Sequence, residues 1–251
     1  MIEPAHVTLQ VLDSTLSVRR VIADQLGAFA VTEAPAQGHV MASSLPAALA
    51  ELTSFAAAHS HLLCMHAGVV SGRAGLVVVP GHSGLGKTTL VAALVRAGFG
   101  YVSDEMLAID RSTGRAVAFP RAFGLAGDVW PVLGLPGDPP APGEERYLPP
   151  DRFGRVDTAG GAVTDIVLVE RMAGRAAVVP ASRGPAVAEL LTRSFNNYRD
   201  PAGSFRAVVA LVRGSRVWRA QYAEAPDLAA VLADTIPHAD SPQADSSTTA
   251  R

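Results

Sequence analysis

The stretch "VVVPGHSGLGKTTLVAAL" (residues 77–94) joins a short apolar run to a helical pattern through a glycine-rich turn. The run "LVVVP" (76–80) is typical of a buried strand. The residues from Thr88 to Ala97 have helical spacing, and Gly98 follows as a helix-ending glycine. This order predicts an α/β fold, in which a glycine-rich phosphate-binding loop (P-loop) lies in a layered sheet with flanking helices.

The turn fits the phosphate-loop pattern G-x-x-x-x-G-K-[ST]. Glycines let the backbone curl so that several N–H groups point inward, and a helix N-terminus adds partial positive charge there. Lys87 is expected to reach the β- and γ-phosphates of a nucleotide, and the Thr88 hydroxyl to ligate Mg²⁺. A glycine-rich turn without a ligand is the alternative. The predicted nucleotide-binding residues are Gly81, His82, Ser83, Gly84, Leu85, Gly86, Lys87, Thr88 and Thr89.

Lys87 is the only lysine of the chain, so the 21 basic residues comprise twenty arginines and this one lysine. A compact lysine suits a narrow phosphate cradle better than the broad arginine fork. The net charge of −2 and the lack of a basic run argue against nucleic acid as a partner. The apolar runs are too short for a membrane span and no signal-peptide pattern is seen, so we expect a soluble, cytoplasmic protein.

An acidic pair, Asp104 and Glu105, follows Lys87 by 17 and 18 residues within the predicted strand "GYVSDEMLAID". If this strand runs beside the P-loop strand, its acids come near the phosphates. Neighbouring residues of a strand point to opposite faces, so the two carboxylates would have different roles. One would organise Mg²⁺ and the other would meet the acceptor hydroxyl. A solvated acidic pair at a strand end is the alternative.

The segment "HAGVV…GLVVVPGHSGLGKTTLVAALVRAGFGYVSDEMLAI" resembles the catalytic domain of the HPr kinase/phosphorylase family, most specifically from His66 to Ile109. The resemblance implies a fold similar to phosphoenolpyruvate carboxykinase and an ATP-dependent kinase activity. It implies Asp104 as the general base, Glu105 as a magnesium partner and Lys87 and His66 as catalytic residues. Asp104, Glu105 and Thr88 are thus the expected metal-binding group.

Several positions depart from that family. Thr89 replaces its usual glutamate, the acid pair is Asp-Glu rather than Asp-Asp, and the downstream phosphorylase signature is missing. The implied acceptor is therefore a hydroxyl other than that of HPr, on a peptide, protein or small molecule, with a natural-product precursor peptide among the candidates. Arg121 and Arg193 are further candidates for contact with phosphate or a substrate carboxylate. The oligomeric state stays open, with a homo-oligomer among the alternatives.

The remaining patterns suggest how the chain is organised. Residues 1–60 are predicted to form strands ("HVTLQVL", "GAFAVTEA"), a short helix ("VRRVIADQL") and a helix from about Leu45 to His59, all packing on the core. Residues 61–236 are predicted to be the P-loop kinase-like domain, forming one compact unit with 1–60, and 237–251 a disordered tail. Within that domain, "FRAVVALVRGSRVWRAQYA" is predicted as a strand hairpin and "APDLAAVLADTI" as a helix. The Pro/Gly-rich residues 131–150 are either a lid or a disordered insertion.

A second function also fits the phosphate loop: a nucleotide-binding switch that hydrolyses ATP or GTP and forms no phosphorylated product. The run "DIVLVE", which ends at Glu170, could supply a distant metal-organising acid for such a switch. A third alternative is a non-catalytic domain that keeps the fold for partner binding. Lys87 argues against it.

Overall fold

The computed structural model describes residues 7–11, 38–42, 45–82 and 84–237. These residues form a mixed α/β structure with one large, mostly antiparallel sheet and flanking helices. The twelve strands of the described residues are β1 (Val7–Val11), β2 (Gly38–Ala42), β3 (Leu63–Ser71), β4 (Leu76–Pro80), β5 (Gly100–Ser103), β6 (Met106–Ile109), β7 (Arg115–Val117), β8 (Phe123–Ala126), β9 (Glu145–Leu148), β10 (Gly161–Arg171), β11 (Ala177–Pro180) and β12 (Arg216–Tyr222). The α-helices in the same residues are α1 (Leu45–His59), α2 (Lys87–Arg96), α3 (Val129–Val132), α4 (Arg183–Thr192), α5 (Pro201–Gly214) and α6 (Ala225–Thr235).

The large sheet has the order β11-β12-β10-β4-β3-β6-β7, and β5 also pairs with β3. Strand β4 lies between β3, which is antiparallel to it, and β10, which is parallel. Strand β7 pairs with β6 and also with the first two residues of β10, so the sheet curls back on itself. The first two strands, β1 and β2, form a separate parallel pair.

Helices cover both faces of this sheet because its central strands are apolar on both faces. Val77 and Val79 of β4 belong to a buried cluster that includes residues of α2 and α6. Leu76 and Val78, which alternate with them, belong to a second cluster that includes residues of α4 and α5. A strand whose side chains are buried on both faces reads as an unbroken apolar run, as "LVVVP" does.

Helix α2 is flanked by two glycines with positive φ. Gly86 precedes its first residue with φ 78°, and Gly98 follows its last turn with φ 102°. At the C-terminal end the Phe99 amide donates to the Leu94 carbonyl and the Gly98 amide to the Val95 carbonyl, which is the Schellman arrangement. These two glycines fix where the helix leaves the phosphate-loop candidate and where the chain turns into β5.

Several sequence predictions are confirmed. Helix α1, strand β4 and helix α6 lie where the patterns place them, and β1 lies within the predicted strand "HVTLQVL". The predicted elements "VRRVIADQL" and "GAFAVTEA" and the tail beyond residue 237 lie outside the described residues. No helix of the described residues is long and apolar enough to cross a lipid bilayer.

Three predictions are wrong in detail. The hairpin predicted from Phe205 onward is instead a helix, α5, followed by one strand, β12. The predicted strand "GYVSDEMLAID" is two strands, β5 and β6, with the acidic pair in the bend between them. Of the two alternatives for residues 131–150, the disordered insertion is wrong, because β9 pairs with β8 and the Trp130 indole N–H donates to the Pro136 carbonyl at 3.3 Å, while the lid stays a prediction.

Candidate functional site

The phosphate-loop candidate spans the turn between the end of β4 and the start of α2, as the sequence predicts. Gly84 and Gly86 have φ of 88° and 78°, conformations that L side chains rarely adopt. The Tyr222 hydroxyl of β12 donates to the Leu85 carbonyl at 2.8 Å and so anchors the loop from the neighbouring part of the sheet. Ser83 lies outside the described residues.

Lys87 is the first residue of α2 and is only 5 % exposed. Its Nζ donates to the His82 carbonyl at 2.8 Å, which folds the side chain back over the loop. Burial lowers the pKa of Lys87 to about 8, against the opposing charge of Glu105. The His82 side chain itself is exposed, so within the loop His82 acts on Lys87 through its backbone.

The acidic pair lies in the bend between β5 and β6. The Ser103 hydroxyl accepts the Glu105 and Met106 amides at 3.2 and 2.9 Å, and this closes the bend. Asp104 is 1 % exposed, whereas the Glu105 side chain is 26 % exposed. The two carboxylates thus differ in environment, although the bend and not the predicted strand alternation separates them.

The route by which the acids approach the loop also differs from the prediction. Strand β5 does not run beside β4, because β3 lies between them and pairs with both in antiparallel fashion. Two strands that are each antiparallel to a third are parallel to one another. Strands β4 and β5 therefore end at the same edge of the sheet, and this brings Asp104 close to Lys87 and Thr88.

Asp104 is buried without full hydrogen bonding. Its Oδ1 lies 3.1 Å from the Tyr101 hydroxyl and 3.6 Å from Arg121 Nε, while its Oδ2 has no hydrogen-bond partner among the described residues. Burial raises the pKa of Asp104 to about 6, with a further rise from Glu105, while Arg121, the Tyr101 hydroxyl and, least, the nearby Thr88 hydroxyl oppose it. A carboxylate in such a position is a base that is still ionised at neutral pH.

His66 of β3 lies against Glu105. Its Nδ1 is 2.9 Å from the Glu105 carbonyl oxygen and 3.4 Å from Glu105 Oε1. Burial lowers the pKa of His66, Lys87 adds to this, and Glu105 opposes it. A neutral His66 would donate its Nδ1 proton to the carbonyl, so it is placed to orient Glu105.

The two candidate arginines lie at different parts of the site. Arg121 lies between the acids, with Nε 3.6 Å from Asp104 Oδ1 and Nη2 3.5 Å from Glu105 Oε2. Arg193 instead pairs with Glu189 at 2.9 Å, and its carbonyl accepts the His66 amide at 2.8 Å. The sequence pattern named Arg121 as one candidate among twenty arginines, and only the fold connects it to the acids.

A cleft of about 400 Å³ opens beside the phosphate-loop candidate. Gly81, His82, Arg193 and Glu170 are among the residues that line it. Glu170 lies near the end of β10, which is parallel to β4, and accepts from Gln221 Nε2 at 3.1 Å. Thr89 faces elsewhere: it lines a small recess of about 70 Å³ together with Gly86 and Tyr222.

The oxygen groups near Lys87 are suited in kind to Mg²⁺. Hard cations of this size take carboxylate and hydroxyl oxygens and retain waters, so one or two protein ligands suffice. The Asp104 carboxylate, the nearby Thr88 hydroxyl and the partly exposed Glu105 carboxylate offer such oxygens. The described residues contain no cluster of three or more His, Cys, Asp or Glu side chains placed to hold a metal ion by themselves.

Three residues of the site carried no signal in the sequence. Tyr101 and Thr53 contact Arg121, and Tyr222 anchors the loop, but each comes from a different element. Their positions depend on tertiary packing alone.

The sequence matches no protein-family model, and no curated protein is similar enough to count as a relative.

Proposed function

We propose that this chain is an ATP-dependent phosphotransferase that moves the γ-phosphoryl group of ATP to a hydroxyl of a peptide, protein or small molecule. One observation carries the proposal. A buried lysine at the start of a glycine-loop helix lies close to a buried aspartate whose Oδ2 has no hydrogen-bond partner among the described residues. Phosphoryl transfer needs little more from a protein than a phosphate cradle, countercharge and a positioned base.

The loop and Lys87 would hold the triphosphate of the substrate. The amides at the N-terminus of α2 have no partners within the helix, and they carry the positive end of its dipole. Lys87 now donates to the His82 carbonyl, and a phosphate oxygen would be the stronger, charge-assisted acceptor. Binding would thereby exchange an internal contact of the loop for a contact with the nucleotide.

Thr88, Glu105 and Asp104 are the residues that would hold Mg²⁺, and the ion would supply neutralisation of phosphate charge. His66, at Nδ1, would keep the Glu105 backbone and carboxylate in place. The same contact gives His66 a partner on a strand that is otherwise fully buried.

Asp104 would act as the general base. Its unpartnered Oδ2 accepts the hydroxyl proton of the acceptor while the hydroxyl oxygen bonds to the γ-phosphorus. The bond between the γ-phosphorus and the β,γ-bridging oxygen breaks, and ADP leaves with that electron pair. A base with a pKa of about 6 holds the proton better than an ordinary aspartate does. The fold we propose is the P-loop arrangement of the HPr kinase-like proteins, which has room for these roles in one site.

The second candidate function, an ATP- or GTP-hydrolysing switch, is favoured by Glu170. This acid lies near the end of the strand next to β4 and lines the cleft beside the loop. In the switch, Glu170 would be the metal-organising acid and Asp104 would be dispensable. The substitution Glu170→Gln therefore abolishes turnover if the chain is a switch and leaves turnover nearly intact if it is a kinase.

The deciding experiment is incubation with Mg²⁺ and ATP together with hydroxyl-bearing acceptors, chiefly peptides encoded near the gene. Intact-mass spectrometry would detect the added phosphate. A phosphorylated acceptor that is lost in Asp104→Asn and kept in Glu170→Gln supports the kinase. ADP formed at one slow rate with every acceptor, and no phosphorylated product, contradicts it.

A further inference from the structure

Arg121 has a firmly held backbone and a loosely held side chain. Its amide donates to the Phe119 carbonyl at 3.0 Å, and its own carbonyl accepts the Tyr101 hydroxyl at 2.6 Å. The guanidinium is 3.4 Å from the Thr53 hydroxyl, 3.5 Å from Glu105 and 3.6 Å from Asp104. A charged N–H···O bond normally measures about 2.7–2.9 Å, so none of these contacts is a full one.

Two other arginines of the chain make shorter contacts with their partners than Arg121 does. Arg216 reaches Asp165 at 2.8 Å and Arg193 reaches Glu189 at 2.9 Å. Both of those side chains are more exposed than Arg121, which is only 13 % exposed. The most enclosed of these three guanidinium groups is therefore the one with the longest contacts.

Burying the Arg121 guanidinium with incomplete hydrogen bonding costs free energy. A guanidinium has five N–H donors, and Arg121 Nε is buried with no hydrogen-bond partner among the described residues. An unsatisfied buried donor loses its hydration without compensation. Asp104 and Glu105 outweigh the effect of burial and raise the pKa of Arg121, so the group keeps its charge. A ligand with several anionic oxygens would satisfy these donors.

We propose that Arg121 is a catalytic residue that binds the γ-phosphoryl group directly and remains on it during transfer. The inference rests on the proposed phosphotransferase function. The planar fork lies between the base and the metal-binding carboxylate, where the phosphoryl group would pass, and two of its donors can engage two phosphate oxygens at once. The three long contacts give way to shorter ones when the phosphoryl group is bound.

The test compares a nucleotide that has a γ-phosphate with one that lacks it. Calorimetric titration of the full chain with Mg²⁺ and either ADP or the β,γ-imido analogue of ATP gives the preference for the γ-phosphate. In Arg121→Met the affinity for ADP stays unchanged, while the affinity for the analogue falls by about 10- to 100-fold. The rate constant for phosphate transfer falls by about 10³-fold.

Arg121→Lys covers the case in which the methionine variant fails to fold. It keeps a positive charge beside both acids but has no planar fork, so it should also lose affinity for the analogue and not for ADP. The matched control is Arg111→Lys, since Arg111 is a second arginine with a buried, unpartnered Nε but contacts His61 and Ser204 instead. It should leave both affinities unchanged.

The outcomes separate the two proposals. Equal loss of affinity for both nucleotides, or full activity in Arg121→Lys, overturns the role of Arg121 and makes it a countercharge for the acids. If the unmodified protein transfers phosphate and Arg121→Met keeps the preference for the γ-phosphate, only the Arg121 proposal fails. If the unmodified protein binds neither nucleotide, the proposed function fails and the Arg121 role fails with it.

Discussion

Replacing Asp104 by asparagine should make the folded protein more stable at neutral pH while removing the proposed base. The pKa of this carboxyl group rises from 3.8 to about 6 on folding, chiefly through burial. The folded state therefore binds the proton more tightly than the unfolded state, so ionisation of Asp104 costs stability. Above pH 6 the full cost is about 3 kcal/mol, and below pH 3.8 it vanishes.

The assay is urea unfolding of Asp104→Asn and the unmodified protein at two pH values. The gain in unfolding free energy should be up to about 3 kcal/mol at pH 7.5 and shrink to about 1 kcal/mol at pH 4.5. Asparagine keeps the shape, and the Tyr101 oxygen can accept from its amide. A variant that is less stable at pH 7.5, or a gain that does not change with pH, would refute the reasoning.

Asp165 provides the matched control for this prediction. It too is fully buried, but its oxygens accept from Trp218 Nε1 and Arg216 Nη2 at 2.8 Å and from the Thr164 hydroxyl at 2.9 Å. Asp165→Asn weakens charge-assisted hydrogen bonds and should destabilise the fold by about 2 kcal/mol. Substituting the two buried aspartates by asparagine thus changes the free energy of unfolding in opposite directions, because only Asp165 has its oxygens fully hydrogen-bonded.

Three further predictions concern the loop and its pH range. Gly86→Ala forces a side chain into φ 78° and should cost about 1–2 kcal/mol in urea unfolding, whereas Gly184→Ala, in open space on α4, should not destabilise the fold. Tyr222→Phe removes the donor to the Leu85 carbonyl and should cost about 1 kcal/mol and weaken ADP binding measured by calorimetry, with no change in overall secondary structure by circular dichroism. The kcat/KM of the proposed reaction should be bell-shaped, falling below about pH 6 as Asp104 gains a proton and above about pH 8 as Lys87 loses one; a flat profile from pH 5.5 to 9 would contradict these assignments.

The sequence predicts best those elements whose signals are local. Helix α1 and strand β4 follow from apolar spacing, and α2 is flanked by two glycines that adopt positive φ. Helix α5 was missed because its valines favour a strand. The sequence nevertheless contains a helix-start signal there, because Asp200 accepts the Gly203 amide at 2.9 Å and Pro201 occupies the first turn.

The candidate site could be predicted only in part, for a topological reason. Spacing along the chain singled out Lys87, Asp104 and Glu105, and the fold does bring them together. It does so through the β3–β4 hairpin and the return of β5 along β3, which no local pattern specifies. The side chains that contact the acidic pair, Tyr101 and Arg121, are separated from one another by twenty residues.

Burial acts on the two central residues in opposite directions. It lowers the pKa of Lys87 to about 8 and raises that of Asp104 to about 6, because in each case it disfavours the charged form. If the two formed a tight ion pair, each would favour the charge of the other and the pKa values would move apart instead. Lys87 and Asp104 form no direct ion pair in the described residues, so burial outweighs their mutual attraction. In the function we propose, a nucleotide phosphate would take up Lys87 on one side and an acceptor hydroxyl would offer a proton to Asp104 on the other, so bound substrates would offset both costs.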